Sequence, residues 1–442
     1  MGTPHTRTGL ILMGGGARAA YQVGVLGAIA EIAEQVAAPT TNPFPIIAGT
    51  SAGAINAAGL ACGADDFGHA VRSLHAVWSA LHAEQVYRAD SLGILQTGAR
   101  WLSMLSLGWL IARWRRARPR SLLDNSPLHD LLGRHMDTRR IDYALRHGHL
   151  HALAVTASSY ASGHHVTFYQ CREDIQPWTR TQRLAVRTRI TRDHLLASSA
   201  IPFVFPAVPL EIDGHIEHFG DGSMRQAAPI SPAVHLGAQR ILVIGAGRMH
   251  EPAERRPVSA DYPTLAQIAG HALSNIFLDA LATDVERLQR INHTLSQMTP
   301  EQRERTRLRP IDVLVIAPSQ RLDDIADRHV GALPAPVRAL LRGMGVTSRP
   351  GDSRGAVLAS YLLFEPEYVL DLIALGRADT LARRADVERF FGWERPASAA
   401  GQDRGRPTAS PQWQISASSP TAAPTPPWAS TRWPARNSRL RS

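Results

Sequence analysis

Pro45-Ile46-Ile47-Ala48-Gly49-Thr50-Ser51-Ala52-Gly53-Ala54-Ile55-Asn56 is the stretch on which the reading of this 442-residue chain turns. A short apolar run stops at Gly-x-Ser-x-Gly, and small helix-compatible residues follow. The pattern predicts a buried strand turning sharply into a helix, with Ser51 at the turn and small neighbours, Gly49 and Gly53, letting the backbone fold tightly. Such a turn lifts the Ser51 hydroxyl out of the sheet and aims a helix N-terminus at whatever binds there. Helix N-termini stabilise the negative charge that develops when a serine is acylated. A Gly/Ser turn without chemistry gives the same five letters, so the motif alone leaves both readings open. The flanking strand and helix favour the first.

Upstream, residues 8–13 form a second apolar run, which ends in Gly14-Gly15-Gly16-Ala17-Arg18. Tyr21, Val25, Leu26 and Ile29 then recur at helical spacing, which predicts a helix to about Gln35. Gly14-x-Gly16-x-x-Ala19 is a formal match to a dinucleotide fingerprint, but that reading wants an acidic residue at the end of the next strand. The next strand ends at Ala48 and delivers Gly49-Thr50-Ser51 instead, so the dinucleotide reading fails. The alternative is an oxyanion hole, in which consecutive glycines let backbone amides approach a tetrahedral oxygen beside the serine turn.

Further along, residues 151–156 and 166–170 read as strands joined by a turn at Ser162-Gly163. Asp193 to Pro206 reads as a short helix stopped by Pro202 and Pro206, which bracket an apolar wedge suited to a cleft wall. Asp213-Gly214, set between two short apolar runs, is a hairpin signal. That hairpin delivers Gly220-Asp221-Gly222-Ser223, where Asp221 is either a turn-former or a second catalytic residue presented toward Ser51. Serine before proline predicts helix starts at Ser126, with serine as the cap, and at Ser231. Residues 240–245 and 311–316 are apolar strands of the buried parallel type, a long helix is expected over 264–298, and helices continue to about Trp393. Strands alternating with helices predict one doubly covered, mainly parallel sheet.

Composition bounds the partners. Lys and Arg outnumber Asp and Glu by 48 to 38, a formal charge of +10 that favours anionic partners, either a membrane surface or nucleic acid. The arginines are dispersed and no recognition module is visible, so nucleic acid is not expected. Two cysteines, Cys62 and Cys171, exclude a disulfide framework and point to a reducing, cytoplasmic compartment. No signal peptide or membrane-length apolar run is read in the sequence. No metal-ligand spacing occurs, so neither metal nor cofactor is expected.

The glycine loop, Gly49-Thr50-Ser51-Ala52-Gly53, the Ala197-to-Pro202 segment and Asp221-Gly222-Ser223 stand in that order. Together they resemble the patatin-like phospholipases of bacteria, over roughly residues 8–247. The resemblance implies a three-layer α/β/α fold and a serine acyl hydrolase using a Ser–Asp dyad, with Ser51 as nucleophile and Asp221 as its partner. Gly14, Gly15, Gly16 and Arg18 would form the oxyanion hole, and the substrate would be a phospholipid or another acyl-ester lipid. The family usually has glycine or alanine where this chain has Ser223. Two rival readings stay open: a non-catalytic membrane-surface protein that keeps the fold, and a Ser-His-Asp hydrolase drawing on His235, His250 or His271.

The expected organisation is an acyl hydrolase domain over 8–320, a helical extension packed on it over 321–393, and a disordered Pro/Ser/Arg-rich tail over 394–442. Residues 101–118, with three tryptophans and arginines gathered at the C-terminal end, read as a helix in a membrane interface, a buried helix covering the sheet, or a lid.

Overall fold

Ten strands form one sheet among the described residues, which are 7–39, 41–88, 121–249, 264–306, 308–343, 346 and 356–393 of the computed structural model. The strands are β1 (Thr8–Leu12), β2 (Ile46–Thr50), β3 (Ala152–Ser159), β4 (His165–Cys171), β5 (Thr179–Arg180), β6 (Arg183–Arg187), β7 (Val208–Ile212), β8 (His215–Asp221), β9 (Arg240–Ile244) and β10 (Asp312–Ile316). Their order is β10-β9-β1-β2-β3-β4-β6-β5, and β8 pairs with both β3 and β7. From β10 to β3 every pairing is parallel, whereas β4 and β8 run antiparallel to β3. Residues 101–118 and the tail from 394 lie outside the described residues.

The parallel centre follows from the apolar runs, which have no polar face to turn toward water. Alternate side chains enter two separate cores. Leu10, Leu12, Ile47, Leu242 and Ile244 pack on one face of the sheet, and Ile11, Met13, Ile46, Ala48, Ile241 and Val243 pack on the other. Helices Ala20–Gln35, Ala52–Cys62 and Phe67–Ser79 contribute to the first core. Ala233 of helix Ser231–His235, with Leu281 and Val285 of helix Leu265–Ser296, helps close the second.

The two predicted hairpins form. Gly163 has φ 69° between β3 and β4, and Asp213 and Gly214 have φ 50° and 79° between β7 and β8. Positive φ at both central residues is the twist-matched type of two-residue turn. Strand β6 and the two-residue β5 carried no sequence signal, because their exposed arginines and threonine hide any alternation. Helix Ser126–His135 starts one residue earlier than the expected cap, with Asn125 in the cap position and the Ser126 amide bonded to Asp124 Oδ1 at 2.9 Å.

The helices beyond residue 320 pack back onto the first core. Helix Pro366–Ala382 lies along helix Ala20–Gln35, and small residues permit the close crossing: a Cβ on Gly376 would stand 2.2 Å from the Tyr21 carbonyl oxygen. Tyr21 donates its hydroxyl to Asp379 Oδ2 at 3.0 Å, and Arg377 pairs with Glu31 on the outer side. No described helix is long and apolar enough to cross a membrane.

Candidate active site

β2 ends at Thr50, and helix Ala52–Cys62 starts two residues later, so Ser51 must carry the whole change of direction. Its backbone sits at φ 56°, ψ −132°, a conformation rare for a residue with a Cβ and held only where surroundings enforce it. What enforces it is proximity. A Cβ on Gly49 would stand 2.4 Å from the Gly53 carbonyl oxygen, and one on Gly53 would stand 2.3 Å from that of Leu12. Both glycines flanking Ser51 are therefore required by packing, and the helix start is pressed against the end of β1.

The Ser51 hydroxyl donates to Asp221 Oδ2 at 2.6 Å, and both side chains are buried, at 1 % and 0 % exposure. Asp221 arrives on the last position of β8, opposite Ala157 of β3. Its other oxygen accepts the Ser223 amide at 2.8 Å, which fixes the plane of the carboxylate. Burial raises the Asp221 pKa to about 6, and the bonds from Ser51 and Ser223 moderate that rise. At neutral pH the group is an ionised carboxylate, but a more basic one than an exposed aspartate. Of the apolar wedge after Pro202, Phe205 is buried, but Phe203 is 73 % exposed with φ 66°, its own carbonyl and that of Val204 accepting the backbone amides of Leu122 and Leu123.

The support around Ser51 includes residues the sequence did not single out. Ser198 accepts the Ser51 amide at 2.8 Å and donates its hydroxyl to the Thr156 carbonyl at 2.6 Å. Thr50 and Thr156 share a hydrogen bond at 2.7 Å, and Gln226 donates to Thr50 Oγ1 at 2.7 Å. The available signal was two adjacent serines, Ser198 and Ser199, in the otherwise apolar segment that leads to Pro202, a cost that only a hydrogen-bonding role offsets.

Of the glycine loop, Gly16 lines the same cavity as Ser51, while Gly14 and Gly15 are buried. Arg18 departs from expectation. Its guanidinium is held by Asp323, Ser360 and Val357 and lies over the Tyr361 ring, directed into the C-terminal helices.

The cavity has a volume of about 530 Å³ and runs beside helix Ala52–Cys62. Ile55, Gly59 and Gly63 are the residues of that side left partly open, one turn apart, while their neighbours on the helix are buried. Leu74, Leu131, Phe205 and Phe364 supply apolar walls, and exposed Arg134 and His135 line the cavity just before Asp137, whose carbonyl meets Cys62 Sγ at the end of the helix away from Ser51. A groove of this size, mainly apolar and with the strained Ser51 in its wall, fits an alkyl chain.

Among the described residues no histidine hydrogen-bonds to Ser51 or Asp221. His235 stacks on Trp178 and bonds the Ser231 carbonyl, His271 is exposed on helix Leu265–Ser296, and His250 lies outside the described residues. No three His, Cys, Asp or Glu side chains among the described residues converge as metal ligands.

No individual curated protein matches the chain in sequence. Residues 10–234, which carry the glycine loop, the strained serine and the aspartate that meets it, match the sequence model described as patatin-like phospholipase, and the chain belongs to that family.

Proposed function

We propose that this protein hydrolyses fatty-acyl esters of lipids, as a phospholipase A or esterase, through an acyl-enzyme on Ser51. The observation that carries the reading is the 2.6 Å contact between Ser51 Oγ and Asp221 Oδ2, with Ser51 in the wall of a mainly apolar groove. Family membership implies lipid acyl hydrolysis, and the groove supplies a place for the acyl chain.

Ionised Asp221 takes the hydroxyl proton as Ser51 Oγ attacks the acyl carbonyl. The oxyanion is met by backbone amides of the Gly14-Gly15-Gly16 loop, and Arg18 serves it only by holding that loop, since its amide bonds the Gly15 carbonyl and its side chain is engaged elsewhere. Collapse of the tetrahedral intermediate expels the alcohol, which leaves with the proton held by Asp221. Water, giving its proton to Asp221, then attacks the acyl-enzyme, and Asp221 returns that proton to Ser51 Oγ as the fatty acid leaves. A carboxylate is a weak base for this work, and a pKa near 6 brings it closer to the operating pH than an ordinary aspartate.

The substrate reaches the groove from an anionic membrane surface in this reading. The net charge of +10 supports that approach, and exposed Phe203 sits between Ile201 and Phe205, two residues of the groove wall. Covalent labelling by a serine-directed fluorophosphonate tests the proposal. Wild type should be labelled and Ser51→Ala should not, with hydrolysis of a fatty-acyl ester lost in parallel. Equal labelling or equal hydrolysis in the two proteins would sink it, and the absence of both from wild type would leave a non-catalytic lipid-surface protein standing.

A further inference from the structure

A loop of three consecutive glycines has no side chains of its own to hold it, and ordering glycine costs more backbone entropy than ordering any other residue. The shape of Gly14-Gly15-Gly16 must be imposed from outside. Arg18 is the first long side chain after the loop, and its amide bonds the Gly15 carbonyl at 3.1 Å, so loop and arginine move as one turn.

Arg18 is 2 % exposed, and its guanidinium is fixed in every direction. Nε donates to Ser360 Oγ at 2.7 Å, Nη2 pairs with Asp323, and the plane lies 4.1 Å over the Tyr361 ring. The planar fork of arginine suits this combination of bonding and stacking, which lysine could not reproduce. Ser360 is fixed in turn by donating to the Val357 carbonyl at 2.6 Å. The contact continues at backbone level. Gly16 has φ 56°, and a Cβ there would stand 2.3 Å from the Tyr361 carbonyl oxygen. Asp323 belongs to the first turn of helix Leu322–His329, and Ser360 and Tyr361 to helix Ala356–Leu362. All three lie beyond the residues that match the family.

We infer that Arg18 is a positioning residue, and that Asp323 and Ser360 clamp it from the C-terminal helices so that the glycine loop keeps the shape that serves the oxyanion of the Ser51 reaction. This inference rests on the reading of Ser51 as nucleophile. It gives the helices after residue 320 a part in catalysis without any contact with substrate. A loop released from the clamp still admits the ester but no longer holds its amides in place, so turnover suffers and substrate binding does not.

The test uses the full-length protein and a water-soluble short-chain ester, with kcat, KM and melting temperature measured for Ser360→Ala, Asp323→Asn and Asp323→Glu. Misplacing catalytic donors by about 1 Å costs up to about a hundredfold in rate. Ser360→Ala and Asp323→Asn should each lower kcat about tenfold or more with KM within about twofold of wild type. Asp323→Glu should recover most of the loss, and fluorophosphonate labelling of Ser51 should slow in step with kcat. Asp323→Asn strands a buried charge and is the variant at risk of not folding. Ser360→Ala keeps the ion pair and decides the matter in that event. Folded variants with wild-type kcat, or losses that only follow the melting temperature, would overturn the clamp. Hydrolysis that survives Ser51→Ala would instead remove the reading beneath it.

Discussion

Ser51 Oγ and Asp221 Oδ2 stand 2.6 Å apart across 170 residues of sequence, one at the end of a parallel strand and the other at the end of an antiparallel one. β3 joins them, since it pairs with β2 along Ala152–Thr156 and with β8 along Ala157–Ser159. The distance between the two groups is therefore set by hydrogen-bonded sheet rather than by loops, which makes it insensitive to motion of the surface.

Two groups that act as one unit are lost together. Ser51→Ala and Asp221→Asn should each abolish ester hydrolysis, and the double variant should be no slower than the worse single. Steady-state rates of the three proteins check this. A double variant slower by a further large factor would show that the residues act independently.

The raised pKa of Asp221 sets two pH profiles. As the base must be ionised, kcat/KM should rise with pH through about 6 with the slope of a single ionisation. Stability runs the other way. The folded pKa of about 6 exceeds the ordinary 3.8, so the native state holds this proton more tightly than the unfolded chain does. Its contribution is fully present below 3.8 and is lost as pH rises to about 6, on the order of 3 kcal/mol for a two-unit difference. Asp221→Asn should consequently melt higher than wild type at pH 8 and show no such gain at pH 4. A lower melting point at pH 8 would contradict the buried-charge account.

The glycines of the loop should respond differently to a single methyl. At Gly15 a Cβ would meet the Ala246 Cβ at 3.0 Å and the Arg18 Cβ at 3.3 Å, tight contacts that need the neighbours to give by a few tenths of an ångström but no backbone collision. Gly15→Ala should fold and lose rate, by about a hundredfold if one donor is misplaced. At Gly16 the obstacle is the Tyr361 backbone and φ is positive, so Gly16→Ala should lose stability as well as rate. Melting curves beside kcat separate the two outcomes.

The groove predicts how rate depends on acyl length. Helix Ala52–Cys62 is about 16 Å long at 1.5 Å per residue, which matches an extended chain of about twelve carbons at about 1.25 Å each. Each methylene buried contributes about 0.8 kcal/mol, so kcat/KM should climb by up to about fourfold per carbon. Beyond about twelve carbons the chain emerges beside exposed Arg134 and His135, and the gain should level off. A series of monomeric esters from four to eighteen carbons measures this, with about twelve as the turning point. Leu131→Trp should bring the plateau to shorter chains while sparing the four-carbon ester.

By itself the sequence determined the local events. The apolar runs dictated buried parallel strands, Asp213-Gly214 dictated a two-residue turn, and Gly49 and Gly53 around Ser51 dictated a sharp strand-to-helix bend, because each depends on residues a few positions apart. The order of the glycine loop, the Ser51 turn and Asp221 carried the family, since it sets three local patterns in sequence at the ends of β1, β2 and β8. What only the tertiary structure decided depends on residues far apart in sequence. The 2.6 Å contact of Ser51 with Asp221 needs the register of β3 against both β2 and β8. Burial, and with it the pKa of Asp221, is a property of everything packed around the carboxylate, and within the apolar wedge the outward turn of Phe203 at positive φ was likewise not written in the pattern. The destination of the Arg18 guanidinium was equally hidden, for Asp323 and Ser360 lie more than 300 residues away and belong to helices whose own patterns record only which face is apolar.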